Sequence, residues 1–334
     1  MKRKNFKHWS LFIALQLITL SLFAQGPNNT GTYYQSANGL KGKALKTAMF
    51  EIISKHNQLS YDGLWTAFKT TDKREDGKVW DMYSCTTNFR FGTDQAGKYK
   101  KEGDVYNREH SFPKSWFGGK IPPMYTDLVH LVPTDGYVNN RRGNYPFGEN
   151  KGEKYSSNKV FSKLGSCTYP GYTGTVFEPN DLYKGDFARI YFYMATAYED
   201  KIANWNAGEF APIASHNSYK PYKDWQMNML MEWAKKDPVS QKEIDRNRGI
   251  QQQQNNRNPF VDYPGLEEYI WGSMQNMAFS YDNYQGVSSI PFIEFETEPI
   301  YPKGWYNLNG QKVGYKCPTQ KGIYIHHGKK MVIE

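Results

Sequence analysis

Segments with helical spacing, separated by long loop-forming stretches, constrain the fold of this chain more than any other feature. Apolar side chains recur every three or four positions in residues 44–58 and 186–200, as expected for amphipathic helices on a core. The same pattern predicts helices at residues 225–236, ending before Pro238, and around residues 266–277. Gly, Asn, Pro and Tyr dominate in between. The predicted fold class is therefore α+β, mainly helical and loop-rich, with few and short strands.

The chain changes character after about residue 284. Residues 285–304 contain several prolines and an alternating acidic run, which is typical of a linker. Beyond them, an Asn309-Gly310 pair and a Gly328-Lys329 pair each separate short apolar runs, a pattern that predicts two β-hairpins. We therefore predict a main domain at residues 25–284, a linker at 285–304 and a small C-terminal β-hairpin module at 305–334.

The N-terminus has the pattern of a secretory signal peptide. Four basic residues precede a largely apolar run at residues 11–24, which is shorter than the about 20 apolar residues of a membrane-spanning helix. We expect residues 1–24 to be removed after Ala24 and no stable membrane insertion; a retained membrane anchor is the alternative. The protein is then secreted or held at the cell surface, with the periplasm as another destination.

Export also bears on the three cysteines, Cys85, Cys167 and Cys317. In an exported protein two thiols of one domain can form a disulfide, and Cys85 with Cys167 is the predicted pair, which leaves Cys317 over. The chain has neither a Cys-x-x-Cys motif nor a Cys/His cluster. We therefore expect no structural zinc site.

The net charge of +9 does not by itself identify a nucleic-acid-binding protein. Residues 1–24 and residues 298–334 each contribute +4, so the central part is nearly neutral. Within it, eight Lys or Arg and five acidic residues lie between positions 98 and 142. A mean hydropathy of −0.77 with 39% hydrophobic residues argues against a polytopic membrane protein and against a wholly disordered chain.

One segment with catalytic potential is residues 107–113, where Arg108, Glu109 and His110 are contiguous. A neutral imidazole, with a pKa near ~6.5, can take a proton from water. A carboxylate can hold a hard cation, and a guanidinium can bind a phosphate. Taken alone, a Glu-His pair is weak evidence of a site because it is frequent by chance.

A second segment, residues 127–144, strengthens that interpretation. Asn139 and Asn140 provide amide oxygens that can ligate Mg²⁺ or Ca²⁺, and Arg141 and Arg142 suit bidentate phosphate contacts. Asn139 follows His110 by 29 residues. That length allows a short hairpin return and a helical turn that bring a base and a metal ligand to one phosphate.

Five blocks of the sequence together resemble the secreted bacterial endonuclease I family, which belongs to the ββα-metal, or His-Me finger, nucleases. The block Arg-Glu-His-Ser-Phe-Pro-Lys-Ser-Trp-Phe is followed in order by four others, at residues 127–139, 177–179, 184–189 and 256–260. The resemblance covers roughly residues 40–280. It implies a nuclease with a ββα-metal finger that cleaves DNA, or RNA as well, with one divalent cation and leaves 5′-phosphates. The implied cation is Mg²⁺, with Ca²⁺ or Mn²⁺ as alternatives.

The resemblance also implies roles for single residues. His110 matches the general base, and Glu109 and Asn139 match the metal ligands. Asn140 is the rival of Asn139, because neighbours on a helix point in different directions and only one can reach the ion. The remaining predicted residues contact the nucleic acid around the cleaved bond: Arg108, Lys114, Arg141 and Asn144 as binding residues, and Arg142 and Arg189 as catalytic ones.

One departure from the family concerns the arginine that holds the cleaved phosphate. Related enzymes place it between the His and Asn motifs, and this chain has no arginine between Arg108 and Arg141. Four residues are candidates for that role: Lys114, Lys120, Arg141 and Arg189.

The C-terminal segment resembles the sorting domains of proteins exported by the type IX pathway, in residues 306–313, 321–325 and 328–333. The resemblance implies a secretion-machinery partner. The alternative is a retained β-hairpin that packs on the nuclease or binds a surface partner.

Other conspicuous residues are predicted to be structural. His130 is expected in the core with a hydrogen bond, His56 and His216 are expected to be solvated or structural, and residues 251–256 are expected to form a solvated loop. Aromatic residues of the core are predicted at Trp116, Phe117 and Trp225.

Two other functional classes are compatible with the sequence. One is a catalytically inactive adhesin that binds nucleic acid at the cell surface, and the other is a phosphoesterase for small nucleotides. The intact Glu109, His110 and Asn139 favour the endonuclease over the adhesin.

Overall fold

The computed structural model describes residues 26–205, 208, 210–286, 305–307, 311–314, 318–326 and 329–333. They fall into two units, one ending at Val287 and the other beginning at Ser288. The predicted signal peptide, residues 287–304 of the predicted linker, the turns around Gly310 and Gly328, and Cys317 lie outside the described residues.

Helices make up most of the regular structure of the first unit. Their bounds are α1 Gly42–Ile53, α2 Leu64–Thr71, α3 Gly136–Arg142, α4 Lys184–Ala197, α5 Asp224–Lys236, α6 Gln241–Gln254, α7 Pro259–Asp262 and α8 Leu266–Ile270. The helix α4 is buried along almost its whole length and contacts α1, α5 and α7. Aromatic rings such as Phe187, Tyr191 and Phe192 are fully buried on it. The core of the unit is therefore built around α4.

The structure contains a helix in each of the four segments where the periodicity of the sequence predicted one. α1 buries Leu45, Met49 and Ile53, one residue per helical turn on the face toward the core. The segment at 266–277 was predicted too long: α8 ends at Ile270, and residues 271–277 form turns. There the Glu268 carboxylate accepts a hydrogen bond from the backbone N–H of Ser273, 2.8 Å away, which supports the turn.

The prediction of a solvated loop at residues 251–256 is wrong. Residues 251–254 form the last turn of α6, whose start is fixed by a capping box between Ser240 and Glu243. The Gln254 side chain is fully buried, and its amide is satisfied there because it donates to Asp127 and accepts from the backbone N–H of Leu128.

Two small antiparallel sheets complete the first unit and confirm its mixed α and β architecture. β1 (Tyr106–His110) pairs with β2 (Leu131–Asp135) in a register that places His110 opposite Leu131. α3 follows β2 without a connecting loop. The second sheet contains β3 (Tyr155–Ser156), β4 (Lys163–Ser166) and β5 (Thr175–Glu178) in that order.

The second unit is one antiparallel sheet. Its strands are β6 (Trp305–Asn307), β7 (Lys312–Gly314), β8 (Gly322–His326) and β9 (Lys329–Ile333), arranged in the order β7-β6-β8-β9. The two predicted hairpins are present as the pairs β6–β7 and β8–β9. Pairing of β6 with β8 joins them.

The structure does not contain the predicted disulfide. Cys85 is exposed and Cys167 is buried, and both are free thiols. They contact different backbone carbonyls, those of Asn158 and Tyr169. No helix among the described residues has both the length and the hydropathy needed to cross a bilayer.

Candidate active site

The order β1, β2, α3 places the predicted residues around one cleft. Asp135 ends β2 and caps α3, because its carboxylate accepts a hydrogen bond of 2.8 Å from the backbone N–H of Val138. α3 ends at Arg142, and the next residue, Gly143, has a φ of 59°, a conformation that glycine adopts readily. Asn139 lies in the middle of this short, fixed helix.

The cleft has a volume of about 350 Å³ and is lined by residues of β1, α2, α3 and the loops beside them. Seven of the predicted site residues line it: Arg108, Glu109, His110, Lys114, Asn139, Arg142 and Asn144. Asn140 and Arg141 are exposed and do not line it. The structure thus favours Asn139 over Asn140 as the residue that faces the cleft.

His110 is held in one tautomer by the backbone. Its Nε2 lies 3.0 Å from the carbonyl oxygen of Tyr125, and since a carbonyl only accepts, Nε2 carries the hydrogen and donates it. Nδ1 is left with its lone pair, and it has no hydrogen-bond partner among the described residues. Burial, with a contribution from His130, lowers the pKa of His110 well below its usual value. The side chain is therefore a neutral base at neutral pH.

Glu109 is buried with its two oxygens in different roles. Oε1 accepts hydrogen bonds from Arg142 at 2.6 Å and from the Tyr83 hydroxyl at 3.0 Å. Oε2 accepts none from the residues that the structure describes. Burial raises the pKa of this carboxyl, and the Arg142 guanidinium and the Tyr83 hydroxyl oppose that rise. The arrangement leaves one carboxylate oxygen available to the cleft.

Arg142 is a structural clamp, whereas the sequence predicted a catalytic contact with the phosphate. Its side chain is only 1% exposed. Besides Glu109, its guanidinium donates to the carbonyl oxygens of His110 at 3.0 Å and Ser111 at 2.8 Å. These bonds attach the end of α3 to the end of β1 and thereby fix the two predicted metal ligands relative to each other.

The predicted catalytic role of Arg189 is wrong, because the structure does not bring this residue to the cleft. It lies on α4, is 2% exposed and makes a bidentate ion pair with Glu243 at 2.6 and 2.9 Å. A guanidinium that is buried and fully engaged in this way cannot contact a phosphate in the cleft.

Arg108 lies in an aromatic setting that the sequence did not reveal. Its guanidinium carbon is 3.5 Å from the ring centre of Tyr61 and 4.3 Å from that of Trp65. Tyr61 stacks on Tyr125 at 4.6 Å, and Tyr125 stacks on His110 at 5.3 Å. Tyr61 lies in the turn before α2 and Trp65 lies in the helix itself, so no helical period in the sequence marks the pair.

The other histidines and the three aromatic residues lie where the sequence predicted them. His130 is fully buried, and its Nε2 donates to the carbonyl oxygen of Met124 at 2.7 Å. His56 approaches the buried Asp127 carboxylate at 3.6 Å, whereas His216 is exposed. The three predicted aromatic core residues are buried: Trp116, Phe117 and Trp225.

The donors in the cleft fit a hard divalent cation. Glu109 Oε2 is a carboxylate oxygen without a hydrogen-bond partner, and no hydrogen bond engages the Asn139 side chain among the described residues; both line the same cleft. No group of three or more His, Cys, Asp or Glu able to hold a metal occurs in the described part of the chain. One carboxylate, one amide and water molecules form the kind of set that Mg²⁺ accepts.

Comparison with known proteins identifies the family. The family model for Endonuclease I matches residues 41–265, which include the whole cleft. The chain belongs to the Endonuclease I family. This confirms the resemblance drawn from the five sequence blocks and makes the protein a nuclease.

Curated relatives are similar over about three quarters of this chain. An extracellular ribonuclease of Bacillus amyloliquefaciens is 38% identical over 258 residues, covering 73% of this chain and 79% of the relative. An extracellular ribonuclease of Bacillus subtilis (strain 168) is 37% identical over 270 residues, covering 76% and 83%. Endonuclease-1 of Buchnera aphidicola is 27% identical over 263 residues, covering 75% and 93%.

Proposed function

We propose that this nuclease is an exported, metal-dependent endonuclease that hydrolyses phosphodiester bonds of DNA or RNA without sequence preference and leaves 5′-phosphates. The observation that carries the proposal is that one cleft holds both His110 Nδ1, a nitrogen with a free lone pair, and Glu109 Oε2, a carboxylate oxygen that accepts no hydrogen bond within the described part of the chain. A phosphodiester is anionic and repels nucleophiles, so its hydrolysis needs a base and a counter-charge at the same place.

His110 is the general base of the proposed mechanism. Nδ1 takes a proton from a water molecule as the water oxygen attacks phosphorus. The bond between phosphorus and the 3′ oxygen breaks, and the leaving 3′ oxygen takes up a proton from a second water molecule to become a hydroxyl. The phosphate then stays on the 5′ oxygen of the downstream fragment, which gives the proposed 5′-phosphate end. The hydrogen bond from Nε2 to the Tyr125 carbonyl keeps Nδ1 unprotonated and oriented, and it stabilises the imidazolium that forms.

Glu109 and Asn139 are the proposed ligands of the cation. A bound Mg²⁺, Mn²⁺ or Ca²⁺ supplies positive charge at the phosphate in the transition state. Arg108, Lys114 and Asn144 line the same cleft and are the proposed contacts to the phosphate backbone. Arg142 does not bind substrate; it holds Glu109 in place.

Both nucleic acids are proposed as substrates. The relatives at 37–38% identity are named ribonucleases, and the relative at 27% is named an endonuclease. Phosphate and groove contacts carry no base identity, so we expect weak sequence preference.

We propose that the protein is exported from the cell. Two relatives are named extracellular, and residues 1–24 have the composition of a signal peptide. We also propose that the C-terminal module at residues 305–334 is read by the export machinery.

The test uses the purified protein and its His110→Ala variant with plasmid DNA and with RNA. We expect cleavage with Mg²⁺, loss of cleavage in excess EDTA, and a rate about 10² to 10⁴ lower in the variant. End mapping should find 5′-phosphates. Unchanged activity in EDTA would refute the metal role, and binding without products would favour an inactive nucleic-acid-binding protein. Faster hydrolysis of mononucleotide diesters than of polymers would favour the small-nucleotide phosphoesterase.

A further inference from the structure

A loop beside the cleft carries three lysines that the proposed mechanism does not use. This lysine loop, residues 96–104, begins with Ala96 and Gly97, both of which line the cleft. Lys98, Lys100 and Lys101 follow and are exposed. None of the three ammonium groups forms an ion pair with a residue in the described ranges.

Hydrogen bonds hold the backbone of the lysine loop, and one of them joins it to a residue that also positions the cleft. The Asp104 carboxylate accepts hydrogen bonds from the backbone N–H groups of Lys100 at 2.7 Å and Lys101 at 3.0 Å. Gly103 donates its N–H to the Asp135 carboxylate at 2.6 Å. Asp135 is also the cap of α3, so the loop and the helix that carries Asn139 share one anchor.

Close packing adds a second anchor in the middle of the loop. A side-chain carbon on Gly136 would lie 3.1 Å from the Tyr99 ring and 3.1 Å from the Asn107 amide, closer than such contacts normally are. The Tyr99 ring therefore packs directly on the first residue of α3. Lys98 and Lys100, its neighbours in sequence, are carried on a fixed segment.

The acidic residues of the loop do not neutralise the lysines by ion pairing. Glu102 accepts hydrogen bonds from the Ser84 hydroxyl at 2.5 Å and from the backbone N–H of Asn158 at 2.8 Å. Asp104 is occupied by backbone donors. Three exposed cationic side chains thus lie beside a cleft that is itself lined by Arg108, Lys114 and the ion-paired Arg142.

We propose that Lys98, Lys100 and Lys101 bind phosphates of a nucleic-acid strand beyond the bond that is cut. This inference rests on the proposed function and deepens it, because it makes the enzyme specific for polymers. A dinucleotide bound in the cleft has no further phosphates for the three lysines to bind, whereas a strand of several nucleotides has them.

The experiment compares a Lys98→Gln/Lys100→Gln/Lys101→Gln variant with a matched Lys41→Gln/Lys43→Gln/Lys235→Gln control. The control removes the same charge from exposed lysines that do not line the cleft. Binding of a labelled oligonucleotide is measured by fluorescence anisotropy in a His110→Ala background, from ~0.05 to ~0.2 M salt. Values of kcat/KM are measured in the active background with a long polymer and with a dinucleotide.

We expect the loop variant to bind the oligonucleotide at least about tenfold more weakly than the control at ~0.1 M salt. Each phosphate contact contributes about 0.7 to 0.9 to the slope of log affinity against log salt, so the slope should fall by about 2 to 3. The loss of kcat/KM should appear on the polymer and not on the dinucleotide.

Equal salt slopes in the loop variant and the control would overturn the inference, as would an equal loss on both substrates. The binding arm separates this inference from the proposed function. If the wild-type protein cuts nothing but binds the oligonucleotide through the three lysines, the nuclease mechanism fails and the lysine site stands.

Discussion

The Arg142 guanidinium lies 2.6 Å from Oε1 of Glu109 and connects the last residue of α3 to the penultimate residue of β1. Two carbonyl oxygens of the same strand end complete the contact. The ion pair therefore sets the distance between the strand that carries the base and the helix that carries Asn139. It also leaves Glu109 with one oxygen for a cation.

Arg142→Met is expected to destabilise the protein by about 3 kcal/mol, because it leaves a buried carboxylate without its partner. Urea unfolding followed by tryptophan fluorescence measures the change. The Arg90→Met variant is the control, since Arg90 makes an exposed pair with Asp94, and it should unfold almost as the wild type does. Equal midpoints for the two variants would show that the clamp is not needed for stability.

Tyr83→Phe removes one of the two hydrogen bonds to Glu109 Oε1. We expect a loss of stability of about 1 kcal/mol and weaker binding of Mn²⁺, because the Glu109 carboxylate is then oriented by Arg142 alone. Mn²⁺ binding is measured by electron paramagnetic resonance, so the result does not depend on activity. Tyr222→Phe is matched, since its hydroxyl is also buried and donates to the Tyr191 carbonyl at 2.7 Å. It should lose similar stability and keep Mn²⁺ affinity; a parallel loss of affinity in both would contradict the role of Tyr83.

The Asn139→Ala and Asn140→Ala variants test which of the two adjacent amides of α3 is the metal ligand. Asn139 lines the cleft and Asn140 is exposed outside it. Removing a direct metal ligand should cost more than the about 10- to 100-fold typical of second-shell changes, so Asn139→Ala should lose at least about that much activity. Asn140→Ala should retain nearly all of it. Initial rates on RNA and DNA measure both, and the reverse ranking would assign the ligand to Asn140.

The sequence predicted four helices of the first unit, α1, α4, α5 and α8, because their segments present apolar residues with the helical period, as α1 does with Leu45, Met49 and Ile53. It also predicted Glu109, His110 and Asn139 as neighbours, since two short motifs contain the residue types that phosphodiester hydrolysis needs. The structure places all three at one cleft.

Contacts between residues from distant segments of the chain could not be predicted in this way. Tyr83 reaches Glu109 across 26 positions of sequence, and no local pattern records that contact. The prediction for Arg189 was wrong for a related reason. The sequence of an amphipathic helix does not show whether its arginine faces a phosphate or, as here, the buried Glu243. The polar tract of α6 resembled a loop because only tertiary contacts, such as that of Gln254 with Asp127, explain its burial.

Glu267 makes folding stability depend on pH. Burial raises the pKa of this carboxyl from 4.5 to about 7, with Arg189 opposing the rise and Glu268 adding to it. Its Oε2 has no hydrogen-bond partner among the described residues. Between about pH 4.5 and 7 the unfolded chain releases this proton while the folded protein retains it. The free energy of unfolding therefore falls as pH rises through that window, by up to about 3 kcal/mol, and levels off above it.

The Glu267→Gln variant should lack that fall, because an amide does not ionise. Burial also raises the pKa of Asp81 to about 7, so the wild type and the variant share the decline that Asp81 causes. Urea unfolding at a series of pH values from ~4.5 to ~8.5 measures the difference between them. We expect the variant to gain on the wild type as pH rises, whereas the exposed Glu51→Gln control should follow the wild type throughout. Parallel curves for wild type and Glu267→Gln would mean that this carboxyl ionises in the folded protein as easily as in water.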